Sequence, residues 1–156
     1  MFWVFIILVL YGGLIFSYCV GWNNTATYYS KQYNLSVSVI VAMKDEAKNI
    51  KNLYKNLILQ SYPKEKIEII FVNDHSQDNT LELLKELEGN NIHCLNMPEN
   101  SYGKKKSIKK AAELASGDII IVTDADCTFS YDWVRTMVDC FGNDKIKLVS
   151  GPVTYK

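Results

Sequence analysis

The distribution of apolar and polar positions divides the chain in two. Phe2 to Val20 is an apolar run interrupted only by Gly12, Gly13 and Ser17, and the first charged side chain is Lys31. At the helical rise about 20 apolar residues cross the hydrocarbon layer of a bilayer, so the run predicts a transmembrane helix over residues 1–22. From Val37 onward short β-rich runs alternate with amphipathic stretches. "VSVIVA" (residues 37–42) reads as a strand, followed by a helix in which Ile50, Leu53 and Leu57 recur at helical spacing and Pro63 marks the stop. "IEIIFV" (67–72) is a second strand, and residues 76–89 a second helix with Leu81, Leu84 and Leu87 on one face and Gly89 at its end. "IHCLN" (92–96) is a third, weaker strand. Residues 103–117 form a third helix with Ile108, Ala111, Ala112 and Ala115 inward, and "DIIIVT" (118–123) a fourth strand. A helix over 131–141 and a last strand or pair of strands over 146–155 complete the pattern. Such alternation predicts an α/β fold: a mostly parallel, Rossmann-like sheet flanked by helices. Continuous apolar strands predict burial on both faces.

Composition sharpens this only in places. The 156 residues carry 17 basic and 17 acidic side chains, for a formal net charge of zero; nothing here predicts a nucleic-acid partner bound through bulk charge. The four cysteines form no CxxC pair, which predicts free thiols rather than a disulfide frame. All basic residues follow the apolar run, which has neither a basic leader nor a small-x-small cleavage site. The expectation is a retained single anchor in the cell membrane with the body of the protein on the cytoplasmic side. Residues 23–36 then form a linker and 37–156 the domain.

In open α/β sheets ligands bind beyond the carboxyl ends of the strands. Four clusters fall there: Lys44, Asp45 and Glu46 after the first strand; Asn73, Asp74 and His75 after the second; Gly103 and Lys104–Lys106 at the start of the third helix; and Asp124 and Asp126 after the fourth strand. Asp45 and Glu46 also suit the positive end of a helix, Asp74 and His75 suit a turn, and lysine runs commonly form a solvated helix face. Gly103 before Lys104 at a helix start suits an anion, through free backbone amides and the helix dipole. "IIIVTDADCTFS" (119–130) is the most telling segment. Two carboxylates one residue apart at the end of a buried run are costly to desolvate without compensation. Without zinc-type Cys/His spacing, a hard divalent cation, Mg2+ or Mn2+, held by Asp124 and Asp126, supplies that compensation, and such ions also bind substrate phosphates.

The P-loop and the GxGxxG fingerprint are absent. "DADCT" (124–128) resembles the DxDxT of haloacid-dehalogenase-type phosphatases, but there the motif closes the first strand of the domain, whereas two strand-helix units with their own acids precede it here. Taken in order, "VSVIVAMKDEAKNIKNLYKNLILQSYP", "EIIFVNDHSQDNT" and "GKKKSIKKAAELASGDIIIVTDADC" resemble the nucleotide-binding half of family 2 glycosyltransferases with the GT-A fold, from about Val37 to Trp133. The resemblance implies an inverting enzyme using a nucleotide-activated sugar, commonly a UDP-sugar, with a glycan or lipid acceptor. It further implies Glu46 near the ribose or base, Asp74 at the base, Lys104 near the nucleotide or diphosphate, Asp124 near ribose and metal, and Asp126 as the main protein ligand of the metal. Departures are Ala42 where the family often has proline, Lys44 where arginine or tyrosine is frequent, and Asp45 and Asn73 where asparagine and a second aspartate are frequent. The acidic general base and the QxxRW-like segment of processive members lie well beyond DxD in that pattern. Neither occurs before Lys156, and Asp132, Asp139 and Asp144 read as surface acids. The expectation is therefore a donor-binding portion, with a transferase, a donor-binding protein without turnover, and a polyprenyl-phosphate sugar transferase as the alternatives.

Overall fold

The computed structural model describes residues 2–23, 35–142 and 145–151. Helix α1 (Phe2–Asn23) has no charged residue and no buried one; by length and composition it is able to cross a membrane. The described part of the domain begins at Leu35, which packs against the core. There follow β1 (Val37–Met43), α2 (Ala47–Ile58), β2 (Ile67–Asn73), α3 (Thr80–Lys85), β3 (Ile92–Asn96), α4 (Lys104–Leu114), β4 (Ile119–Thr123) and α5 (Trp133–Asp139). The four strands pair in the order β3-β2-β1-β4, all parallel.

That order explains where the helices lie. The chain steps from β1 to β2 to β3 in one direction and then returns past β1 to β4. Parallel crossovers are right-handed, so reversing the direction moves the crossover helix to the other face. Accordingly Ile50, Leu53 and Leu57 of α2, Leu84 of α3 and Val134 and Val138 of α5 pack on the face that carries Val37, Val39, Val41, Ile69, Phe71, Ile119 and Ile121. Ala111 of α4 packs on the opposite face, with Ile40, Ala42, Ile70 and Val72. The period-2 alternation of strand side chains assigns consecutive residues to the two layers.

The α/β fold expected from the alternation of runs holds, with three corrections. Two-sided burial is confined to the central strands: β1 is buried throughout, whereas on edge strand β4 Ile120 and Val122 are 44% and 45% exposed. The second helix is shorter than its leucine spacing predicts. Asp78 accepts from the Thr80 amide at 2.9 Å, and this local side-chain bond competes with helix over 76–79. The closing strand does not appear at 146–151, which are irregular with Leu148 87% exposed; a strand needs a partner, and β-propensity alone does not supply one. The rest of that stretch and most of the expected linker lie outside the described residues. The four cysteines are free thiols, as expected. Burial, with the Glu88 charge adding, pushes the Cys94 thiol up to about 11.

Candidate active site

The strand register aligns the carboxyl ends. Met43 pairs with Asn73, Asn73 with Asn96, and Val41 with Thr123. The segments that leave these ends share one rim, and between β1 and β4 the strand order reverses, the position at which open α/β sheets form a crevice.

Three loops are laced together on this rim. Asp45, at φ 55°, donates its amide to Ser76 Oγ at 2.9 Å and accepts the Gln77 amide at 2.6 Å. The Glu46 amide donates to Thr80 Oγ1 at 2.9 Å, and Asp78 receives the Ala47 amide at 3.2 Å. Half-buried Glu46 also accepts from the Asn49 side chain. The first loop is therefore held by the second through side chains that terminate strands and begin helices. Asn73 extends the lacing, donating its Nδ2 to Asn96 Oδ1 at 2.7 Å.

Asp74 is buried, and its carboxylate is divided between two neighbours. Oδ2 accepts the Gly103 amide at 2.9 Å, and Oδ1 lies 2.9 Å from His75 Nδ1. This alters one expectation. The Gly103 amide does not stand free for an exogenous anion; the anion at the start of α4 that it meets is Asp74 itself. A carboxylate has roughly four lone-pair sites, so capacity for a further donor remains. Gly103 adopts φ 102°, ψ 141°, a region that residues with a Cβ rarely enter. The turn it makes launches α4 with Lys104 as first residue.

Lys104 Nζ reaches across the switch point to form an ion pair with Asp124 Oδ1, both side chains about half exposed. Asp126, exposed, follows in the same turn, separated from Asp124 by buried Ala125. The structure thus joins Asp74, Gly103, Lys104 and Asp124 by direct contacts and places Glu46 and Asp126 on the flanking loops of the same rim. Lys105 and Lys106 are exposed on α4. Among the described residues no group of three or more His, Cys, Asp or Glu is arranged to hold a metal. Two neighbouring exposed carboxylates nevertheless suit a hard cation that takes its remaining ligands from water and phosphate. A cavity of about 310 Å³ lined by Lys66, Glu68, His93 and Ser116 lies at the opposite, amino-terminal rim and contains none of these residues.

His75 was expected to be a turn residue, and it does occupy a left-handed turn, at φ 61°. Its contacts go further. Nε2 lies 3.2 Å from the Pro98 carbonyl, and the ring stacks on Tyr102 with centroids 4.0 Å apart. Tyr102 escaped the sequence reading altogether, since a lone aromatic before a glycine carries no periodic signal.

A parallel sheet with its acids and a helix-initiating lysine gathered at a switch point is an α/β architecture of GT-A type. Residues 38–156 match the family described as Glycosyl transferase family 2, and the chain belongs to that family. It is 30% identical over 121 residues to Glycosyltransferase AglE of Haloferax volcanii, covering 76% of this chain and 40% of that protein. It is 30% identical over 116 residues to a poly-beta-1,6-N-acetyl-D-glucosamine synthase of Staphylococcus aureus, covering 74% of this chain and 28% of the synthase. Among solved structures, mannosyltransferase PcManGT of Pyrobaculum calidifontis, in complex with GDP-Man and Mn2+, shares the fold with a TM-score of 0.74 at 24% identity, over 85% of this chain and 40% of that one. A fragment of S. aureus TarS in complex with UDP-GlcNAc gives a TM-score of 0.60 at 26% identity, over 78% of this chain and 37% of that one. The chain therefore spans two-fifths or less of the length of these relatives.

Proposed function

We propose that the chain is the donor-binding portion of a membrane-anchored, inverting, metal-dependent glycosyltransferase that takes its sugar from a nucleoside-diphosphate sugar, with UDP as the nucleotide, and delivers it to a glycan or lipid acceptor. The observation that carries this reading is the ion pair from Lys104, at the start of α4, to Asp124, at the end of β4, across the switch point. An exposed pair of this kind contributes only about 0–1 kcal/mol, so it yields readily when a diphosphate competes for the ammonium.

In this reading Lys104 binds the diphosphate and stabilises the charge that grows on the nucleoside diphosphate as the glycosidic bond breaks, an electrostatic contribution of the kind that dominates such chemistry. Asp74, held by Gly103 and His75, presents its remaining acceptor sites to the base. Glu46 lies by the ribose or base, and Asp124 by the ribose. Asp126, with Asp124, would hold a divalent cation, which when bound neutralises the diphosphate oxygens. Support comes from relatives whose names describe a polysaccharide synthase and, at 33% identity over 72% of this chain, a beta-monoglucosyldiacylglycerol synthase of Nostoc, and from fold neighbours in complex with GDP-Man and Mn2+ or UDP-GlcNAc. Helix α1 supports the anchor, with the domain on the cytoplasmic side where the lysines lie.

The acceptor's base is not assigned to any residue here. Asp132 accepts from Ser61 Oγ at 2.6 Å, and the Asp139 carboxyl, pushed up by burial against the opposing pull of Arg135, sits on α5.

Calorimetric titration with UDP, with and without Mn2+, tests the reading. Wild-type protein should bind UDP more tightly with the cation, and Asp126→Ala should lose that increment. Equal metal-dependent binding by both proteins removes the role given to Asp126, and no UDP binding by the wild type removes the function. Release of UDP from a UDP-sugar with glycan or lipid acceptors then reports turnover.

A further inference from the structure

We infer that His75 is a positioning residue for Lys104, acting through the loop that runs from Met97 to Gly103. The inference rests on the reading of Lys104 as the diphosphate ligand and adds to it the element that sets where the lysine stands.

The backbone at His75 raises the question. A φ of 61° is the left-handed region, which a residue with a Cβ enters less readily than glycine. A position whose whole task is to turn the chain favours glycine or asparagine. Histidine there is at a backbone disadvantage, so its side chain must offset that cost.

Three contacts do so, and all lead to the same loop. The Pro98 carbonyl faces Nε2 at 3.2 Å and also receives the Ser101 amide at 2.9 Å, so the ring holds the turn over residues 98–101 at its base. Tyr102 stacks on the imidazole at 4.0 Å with an interplanar angle of 27°, fixing the last residue before Gly103. Asp74 Oδ1 meets Nδ1 at 2.9 Å while its other oxygen takes the Gly103 amide. The carboxylate and the carbonyl both accept, and the tautomer decides which ring nitrogen donates. His75 is only 18% exposed at its side chain, which strengthens these bonds relative to surface ones.

The consequence lies one residue further on. Gly103 is the last residue before α4 and Lys104 the first within it. The origin of Lys104 is therefore set by a clasp of which His75 is the hub, and the ammonium meets Asp124 from that origin. Without the clasp, the loop retains its buried end at Met97 but loses two of the ties that orient its exposed end.

The test separates positioning from folding by using the strain itself. His75→Gly removes the ring and at the same time relieves the left-handed backbone, so the unfolding temperature should stay within a few degrees of wild type. UDP affinity, measured by calorimetry with Mn2+, should fall about tenfold, the scale of one charge-assisted bond. Exchange of the Gly103 amide, read by NMR, should accelerate. His75→Asn, which tolerates the same φ and keeps one donor, should lie between the two proteins. Should His75→Gly destabilise the fold instead, Tyr102→Ala carries the test from outside the turn: it should leave the melting temperature alone and still lower UDP affinity and Gly103 protection. Wild-type UDP affinity and unaltered Gly103 exchange in the folded variants overturn the inference. Failure of the underlying reading looks different, because there Lys104→Ala would also bind UDP as wild type does, or wild type would not bind it.

Discussion

The Gly103 amide donates to Asp74 Oδ2 at 2.9 Å across 29 residues of sequence, so the end of β2 decides where α4 begins. This bond needs the Gly103 backbone at φ 102°. A Cβ built there meets nothing within 4 Å, which isolates the backbone contribution. Gly103→Ala should therefore destabilise the domain by about 1–3 kcal/mol through the unfavourable conformation alone, visible as a lower urea midpoint with unchanged slope. If the alanine escapes that strain by turning the peptide, UDP affinity should fall instead, and calorimetry distinguishes the two responses.

Lys104 and Asp124 form a contact whose value lies in function rather than stability. Both side chains are about half exposed, where salt bridges contribute little. Lys104→Ala should shift the unfolding free energy by less than about 1 kcal/mol while weakening UDP binding at least tenfold, on the order of 1.4 kcal/mol. The wild-type affinity should fall as salt is raised, and the alanine variant's should fall less steeply. A large loss of stability with unchanged UDP affinity would mean that the pair is structural.

How much of this was legible in the sequence depends on the range of the interaction. The strands and α2 were readable because burial imposes a period on them: Ile50, Leu53 and Leu57 stand at helical spacing and are all buried. The rim was readable from a topological rule, which needs only the ends of the strands. Asp124 and Lys104 could be assigned to one edge, but their direct contact could not, because it depends on α4 crossing to the other face. The Asp74–Gly103 and His75–Tyr102 contacts were invisible for the same reason. They join loops through non-local geometry, and His75 alone looks like a turn. The closing strand expected over 146–155 is not formed at 146–151, where apolar residues satisfy a propensity without a pairing partner among the described residues.

Glu68 gives the protein a pH dependence away from the rim. Burial acts to raise its carboxyl, but bonds from Ser38 Oγ and from the Ser116 amide and hydroxyl, with the His93 charge adding, outweigh it and hold the group below the usual carboxylate range. A folded-state value below the unfolded one contributes stability above the unfolded value, about 4.3, and loses it as pH falls through the folded value. Glu68→Gln should thus be less stable than wild type at pH 7, on the order of 1–2 kcal/mol, because an amide offers a weaker acceptor to Ser116 and Ser38. The difference should shrink steadily below pH 4. Denaturation series from pH 7 to pH 3 check this, and a gap that is constant with pH would assign the effect to shape rather than charge.

Gly117 tests whether stability and donor binding are separable in this fold. It precedes β4 at the amino-terminal rim, where its amide donates to Ser38 Oγ at 2.8 Å. An ideal Cβ there would stand 2.5 Å from the Ser38 backbone nitrogen and 2.8 Å from the Val37 carbonyl carbon. Both are backbone atoms of a strand buried throughout, so the neighbour cannot swing aside as a flexible side chain would. Gly117→Ala should cost about 1–3 kcal/mol, the usual penalty of overpacking, and lower the melting temperature by several degrees. The carboxyl ends of the strands lie the full length of β4 away. UDP affinity per folded molecule, measured well below the transition, should therefore equal that of wild type. A parallel loss of affinity would mean that strain at the base of β4 is transmitted along the strand to Asp124 and Asp126, and the two rims would have to be treated as one mechanical unit.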